Sequence, residues 1–388
     1  MKGMRSAVVA GAGIWGASVA LALAEDGWRV TLVERHQPGH LRQASAGETR
    51  LLRCSHGDDE WYAKLARRAR DGWRELSRRA GEELYTESGV VWFARRADGW
   101  ERRSAAVLAR LGIPHEVWEP DRAAHMFPGF RGDDLTFALW EPLAGVLRAR
   151  RAVQVTAGLA LDAGVRLVRG RAEPYGAGAV RVGEEVIRAD RVVWAVGAWL
   201  PEVFPEVARR TGLMVTRQDT LHFAAPAEWA LPPVPAWLDY DGSMYGHGDL
   251  GGAGMKVTSD EEGPPYEPEG GDRRVSARGE QVARAYLERR FPALAGANVL
   301  LGQVCQYGLT PDAEWIIAEV AEDTWVLGGD SGHGFKHAPA LAAYVLAVLN
   351  GEREPETRFG LHGRTATRGL RTSGGTDLSS GVKGDLDS

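Results

Sequence analysis

Three glycines at fixed spacing constrain this chain more than any other feature. Gly11, Gly13 and Gly16, in Gly11-Ala12-Gly13-Ile14-Trp15-Gly16, follow a short apolar run at 6 to 10 and open a stretch of helical periodicity from 14 to 25. Gly27 suits a stop just past that helix, and residues 28 to 33 form a second apolar run, so the segment predicts a βαβ unit. In such a turn the first glycine permits the tight bend, the second lets a diphosphate approach the backbone, and the third lets the helix pack on the strand. The helix start adds free N–H groups and a positive dipole end. Glu34 ends the second run, where an acid can bind a ribose hydroxyl, and Arg35 beside it is counted with the cofactor-binding residues. The reading is a dinucleotide site that NAD and FAD would satisfy equally.

The αβ pattern returns at residues 148–168 and 191–196, and a last strand and helix are predicted at 324–329 and 338–349. Between them, 84–140 and 215–260 alternate in the manner of strands, with many aromatics. The expected fold class is α/β: a Rossmann-like domain from 1–83, 141–214 and 298–364, with an inserted, mainly antiparallel β-sheet domain from 84–140 and 215–297. Residues 365–388 are almost without apolar side chains and are expected to be disordered. A net charge of −5 offers no excess of basic residues to a polyanion, which argues against nucleic acid. No run approaches 18 apolar residues and the start leads straight into a strand, so no membrane span is expected and the reading is cytoplasmic. Two cysteines, Cys54 and Cys305, make neither a disulfide framework nor a zinc spacing, and no metal is expected.

Three further segments choose the cofactor through a resemblance. They are Gly47-Glu48-Thr49-Arg50-Leu51-Leu52-Arg53, Val304-Cys305-Gln306-Tyr307 and Ser331-Gly332-His333-Gly334-Phe335-Lys336. With them, and with Val196-Gly197-Ala198-Trp199 between, the chain resembles the monomeric sarcosine oxidase and N-methyltryptophan oxidase branch of the D-amino-acid-oxidase-like flavoproteins over about residues 5 to 360. The resemblance implies FAD, with Thr49, Arg50, Gly197, Trp199, Gly332, His333, Gly334, Phe335 and Lys336 around it and Cys305 bonded to it through sulfur. On composition alone Cys305 reads as a small apolar filler. The resemblance also implies a monomer.

Lys336 and Arg53 are candidates to hold a substrate carboxylate, since an ammonium and a forked guanidinium grip two oxygens together. Lys256, after Gly251-Gly252-Ala253-Gly254-Met255, stands where the family sets a lysine against the ring, and a fixed cation there would favour oxygen as acceptor. The resemblance places Tyr245 and Tyr307 on the pocket; core packing would explain both from sequence alone. One departure stands out. Where sarcosine oxidases carry a histidine near the substrate this chain has Asp260, which suits a substrate with an extra cationic or hydroxyl group, or is a solvated acid beside Glu261 and Glu262. The expected function is FAD-dependent oxidation of a secondary amine or amino acid bearing a carboxylate, by hydride transfer, with oxygen reduced to hydrogen peroxide. Two alternatives stay open: a tailoring oxidase or dehydrogenase of a larger or cyclic amine, and a non-catalytic flavin-binding protein.

Overall fold

A computed structural model of the chain describes residues 4–364, so the tail at 365–388 lies outside the described residues. The first βαβ unit is Ser6–Ala10, Ile14–Glu25 and Arg29–Glu34. Its strands sit in a six-stranded sheet ordered Ile316–Ala321, Thr324–Gly328, Arg191–Trp194, Ser6–Ala10, Arg29–Glu34, Arg166–Arg169. All neighbours pair in parallel except the hairpin of Ile316–Ala321 with Thr324–Gly328. The inner parallel strands, Ser6–Ala10 above all, are buried on both faces because both are covered. Ile14–Glu25, Ala149–Asp162 and Ala338–Leu349 bury one face in a core holding Val9, Val30, Leu32 and Val193. On the other, a small antiparallel sheet brings Val180, Val182 and Ile187 onto Val8, Ala10 and Val192.

A mixed eight-stranded sheet forms the second layer system. It runs Val299–Leu309, Met214–Phe223, Met255–Ser259, Met244–His247, Ala236–Asp239, Val90–Ala94, Phe137–Glu141, Glu116–Trp118, antiparallel throughout except between Ala236–Asp239 and Val90–Ala94. The sequence reading returned the chain to the nucleotide domain at 298. Val299–Leu309 instead pairs along Met214–Phe223 at the sheet's edge, so the crossing comes after Leu309. The strand's own alternation cannot show this, because pairing partners more than 70 residues away are set by the tertiary fold.

Strand alternation decides what faces the site. Leu221, Phe223, Met255 and Val257 enter the apolar core packed with Leu287 and Phe291. The intervening His222 and Lys256 therefore fall on the opposite face, toward the nucleotide domain. A fourth, small sheet of Thr49–Leu52, Gly145–Arg148 and Tyr85–Thr86 carries the Thr49 to Leu52 segment, with Arg53 just past its end. Among the described residues, no helix is long and apolar enough to cross a membrane.

Candidate active site

The turn after Ser6–Ala10 is shaped by exclusion. A Cβ at Gly16 would stand 1.8 Å from the Gly11 carbonyl oxygen, and one at Gly11, whose φ is +100°, 2.5 Å from that of Ala195. The protein's own packing requires both glycines. Gly13 differs, since its nearest neighbour would be Ser45 Oγ at 3.5 Å, an ordinary contact. The chain itself does not demand glycine there, and the open space is what a diphosphate against the backbone needs. The buried Glu34 carboxylate accepts the Ala12 N–H at 2.8 Å, the His36 N–H at 3.0 Å and Gln43 Nε2 at 3.0 Å, bracing the turn. Arg35 is ion-paired with Glu269 at 2.7 Å, and Glu269 also accepts the Trp199 indole N–H at 3.2 Å. A loop of the second sheet system thus reaches the rim of the turn.

From this turn one cleft, with about 1390 Å³ of empty space including its open mouth, runs to the edge strand Val299–Leu309 and the loop before Ala338–Leu349. Gly11, Gly13, Ile14, Trp15, Glu34, Arg35, Gly197 and Trp199 line one end, and Arg50, Cys305, Tyr307, Gly332 and Phe335 the other. Its run from the glycine turn to the loop at Gly332 and Phe335 suits an extended dinucleotide with a ring beyond it. The Trp15 indole donates to the Gly334 carbonyl at 3.1 Å, joining the two ends.

Arg50 organises the far end. Its guanidinium donates to the carbonyls of Thr49 (2.7 Å) and Ala44 (2.5 Å) and reaches Cys305 Sγ at 3.1 Å. Burial works against its charge, but Cys305, Tyr245, Tyr307 and Asp330 outweigh it and raise its pKa. Asp330, which also lines this end of the cleft, has its carboxyl pushed up to about 6, chiefly by desolvation. Tyr245 and Tyr307 meet hydroxyl to hydroxyl at 3.2 Å, with Tyr307 on the cleft. Lys256 is fully buried; its Nζ donates to the Thr49 carbonyl at 3.4 Å and lies 5.2 Å from the Tyr245 ring centroid. Burial, then Arg50, lowers its pKa to about 7. Across the sheet, register sets His222 and His247 on either side of Lys256. His247 gives its Nδ1–H to the Gly248 carbonyl at 2.6 Å, which leaves Nε2 to accept the Thr49 hydroxyl at 2.7 Å.

Arg53 and Lys336 are the two other predicted cations. Arg53 is buried, donates to the Ser55 carbonyl and lies 5.0 Å from the Trp92 ring centroid. Lys336 is buried with its Nζ on the His333 carbonyl at 2.9 Å. Its pKa is held well below 10.5, first by burial and then by Arg53, against the opposing pull of Cys54, Glu141 and Asp260. Among the described residues, neither cation has an acidic oxygen within the 4.0 Å of an ion pair. Asp260 is buried as well, not solvated beside its acidic neighbours, and its charge acts on Arg53, Lys256, Lys336, Tyr245 and Tyr307.

Gly16, Thr49, His333, Gly334 and Lys336, read from sequence as cofactor contacts, do not line the cleft. Gly16 and Gly334 make room for protein atoms, the latter for Trp15 and Asp330. Thr49 is bound to His247, and His333 turns inward, donating Nε2–H to the Ala313 carbonyl at 3.1 Å. His333, His56 and His337 gather within 4.8 Å through one nitrogen each. Among the described residues no acid joins them, and Lys336 and Arg53 press their pKa values down on top of burial. A divalent ion would meet those two cations, so the cluster serves as a wall of neutral imidazoles. Sequence reasoning missed Ser45, Asp330, Glu141, His222 and His247. Ser45 and Asp330 sit next to recognised motifs and were within its reach; the others acquire a role only through pairing.

A parallel nucleotide sheet whose cleft continues onto a cysteine-bearing strand of a second, largely antiparallel sheet defines a flavin-dependent oxidoreductase. The chain belongs to the FAD-dependent oxidoreductase (DAO) family, which it matches over residues 6–347. It is 29% identical over 354 residues to monomeric sarcosine oxidase of Streptomyces avermitilis, covering 87% of this chain and 91% of that one. To N-methyl-L-tryptophan oxidase of Salmonella arizonae it is 26% identical over 354 residues, 86% and 91% of the two chains. Among solved structures, L-proline dehydrogenase from P. horikoshii shares the fold with a TM-score of 0.81 at 20% identity, covering 92% of this chain and 97% of that one.

Proposed function

We propose that the chain is an FAD-dependent oxidase of a secondary amine or N-methyl amino acid that is held by its carboxylate. The observation that carries this reading is the pair of buried cations, Arg53 and Lys336, without an ion-pair partner among the described residues, Lys336 directly following Phe335 at the ring end of the cleft. Such a pair awaits an anion, and a planar carboxylate can take a forked guanidinium and an ammonium together. The names of the two relatives, both oxidases of N-methylated amino compounds, support the same class.

The glycine turn and Glu34 would hold the adenosine diphosphate half of FAD, and Arg50, Cys305, Gly332 and Phe335 would surround its ring, with Cys305 as the covalent tether. Bound there, FAD supplies the hydride acceptor and passes the electron pair to oxygen, giving hydrogen peroxide. The chain's own residues do the rest by positioning and fixed charge. Arg53 and Lys336 orient the substrate, the Tyr245–Tyr307 pair walls it, and Lys256, protonated below about pH 7, offers a cation to the anion that forms as oxygen is reduced. Asp260, buried among them, favours substrates with a further cationic or hydroxyl group. We read the working form as a cytoplasmic monomer, with every group named carried by one chain. The test is anaerobic mixing of the purified yellow protein with N-methyl, cyclic and primary amino acids. Bleaching of the flavin by one of them is expected; none doing so would end the amino-acid reading.

A further inference from the structure

Arg53 is aimed by a buried acid that belongs to none of the recognised motifs. Glu141 ends the strand Phe137–Glu141 and is 2% exposed. Its Oε2 accepts the Cys54 N–H at 2.7 Å, and its Oε1 accepts Ser55 Oγ at 2.5 Å, the Trp92 indole N–H at 2.9 Å and the Ser55 N–H at 3.3 Å. Three of these bonds fix the two residues that follow Arg53. The fourth fixes the indole beneath its guanidinium, 5.0 Å from carbon to ring centroid. Arg53 in turn donates to the Ser55 carbonyl, so its main chain, its shelf and its own hydrogen bond all refer to one carboxylate. Hydrogen bonds to an ionised acceptor are the stronger kind, and a network satisfied on every side holds a single geometry. Charge points the same way. Arg53 opposes the protonation of Lys336, while Glu141 favours the charged form of both.

We infer that Glu141 is a positioning residue for the substrate's carboxylate: through Cys54, Ser55 and Trp92 it holds Arg53 in the pose that receives the anion, and its charge lets two cations share the buried site before the ligand arrives. The inference rests on the reading of Arg53 and Lys336 as the carboxylate clamp. It assigns Glu141 to binding rather than to the chemical step, because no bond from it reaches the cleft.

The experiment uses the flavin-loaded protein and acetate as an inert probe, its dissociation constant read from the flavin absorbance change and by calorimetry. Glu141→Gln keeps the size of the side chain but turns an amide N–H toward the N–H donors. It should weaken acetate by about 10- to 100-fold, the range for losing one or two hydrogen bonds to a charged acceptor. KM for the amino acid should rise with it, while kcat at saturation stays within about threefold and an amine lacking a carboxylate is unaffected. Ser55→Ala deletes one donor without altering the core and should move acetate affinity the same way by a smaller factor, about 3- to 10-fold. It decides the matter if Glu141→Gln does not fold. Wild-type acetate affinity in folded Glu141→Gln, or in Ser55→Ala when the former cannot be made, overturns the inference. So does a fall in kcat with KM and acetate binding unchanged. If acetate fails to bind the wild-type protein, the clamp reading falls and this inference with it, an outcome distinct from the variants alone failing to respond.

Discussion

The three glycines of the first turn should respond differently to the same added methyl group, and the pattern tests whether a diphosphate lies on Gly13. In Gly16→Ala the new Cβ meets the Gly11 carbonyl oxygen at 1.8 Å, a backbone atom that cannot rotate away, with Ala195 Cβ at 3.3 Å. Overpacking costs about 1–3 kcal/mol and more when backbone must move, so Gly16→Ala should lose at least about 3 kcal/mol of stability or fail to fold. At Gly13 the methyl meets only Ser45 Oγ at 3.5 Å, and the native φ of −68° is one alanine adopts. Restricting the unfolded chain gains about 0.4–1 kcal/mol, and losing a glycine N-cap offsets a similar amount, leaving Gly13→Ala within about 1 kcal/mol of wild type. The same methyl would occupy the space given to the diphosphate, at a cost of about 1–3 kcal/mol, or roughly 5- to 150-fold in FAD affinity. The assay is urea unfolding of apoprotein from riboflavin-starved cells, followed by FAD titration through quenching of flavin fluorescence. Unchanged FAD affinity in Gly13→Ala would refute the assignment. A loss of stability in Gly13→Ala equal to that of Gly16→Ala would refute the packing argument instead.

Reoxidation of the reduced protein by oxygen should slow as pH rises through about 7, where Lys256 loses its proton, and Lys256→Met should be slower by about 100-fold and lose that pH dependence; a flat wild-type profile would remove the lysine from the step. Since its folded pKa is lowered from 10.5, the unfolded chain binds the extra proton between about pH 7 and 10.5, and Lys256's own contribution to stability rises with pH across that window. Lys336→Ala should raise KM for a carboxylate-bearing substrate by about 10- to 100-fold with a smaller change in kcat, measured by initial rates, and an unchanged KM counts against the clamp. Acid precipitation should leave wild-type flavin in the pellet and Cys305→Ser flavin in the supernatant; free flavin from wild type would exclude the thioether.

Much of the nucleotide end was legible because its determinants are local. A turn that must bend at Gly11, pack at Gly16 and stay open at Gly13 writes itself into six consecutive positions, and Glu34 follows one helix later. The apolar runs likewise announced the strands and helices that bury them. Cys305, Lys256 and the Ser331 to Lys336 loop were found through family likeness, since a lone cysteine or lysine has no local signature.

Distance in the chain explains what escaped. Glu141 reaches residues 86 or more positions away in Cys54 and Ser55, and His247 meets Thr49 across 198 positions, so neither contact leaves a local pattern. The edge position of Val299–Leu309 depends on pairing with Met214–Phe223, which places Cys305 at the end of the cleft. Sequence alone determined the βαβ turn and the class of ligand it takes, because backbone space and period are local properties. Only the tertiary structure decided that Asp260 is buried, that Lys256 titrates near neutral pH and that Arg53 and Lys336 stand without an ion-pair partner among the described residues. Desolvation and Coulomb energy depend on which distant segments close around a charge.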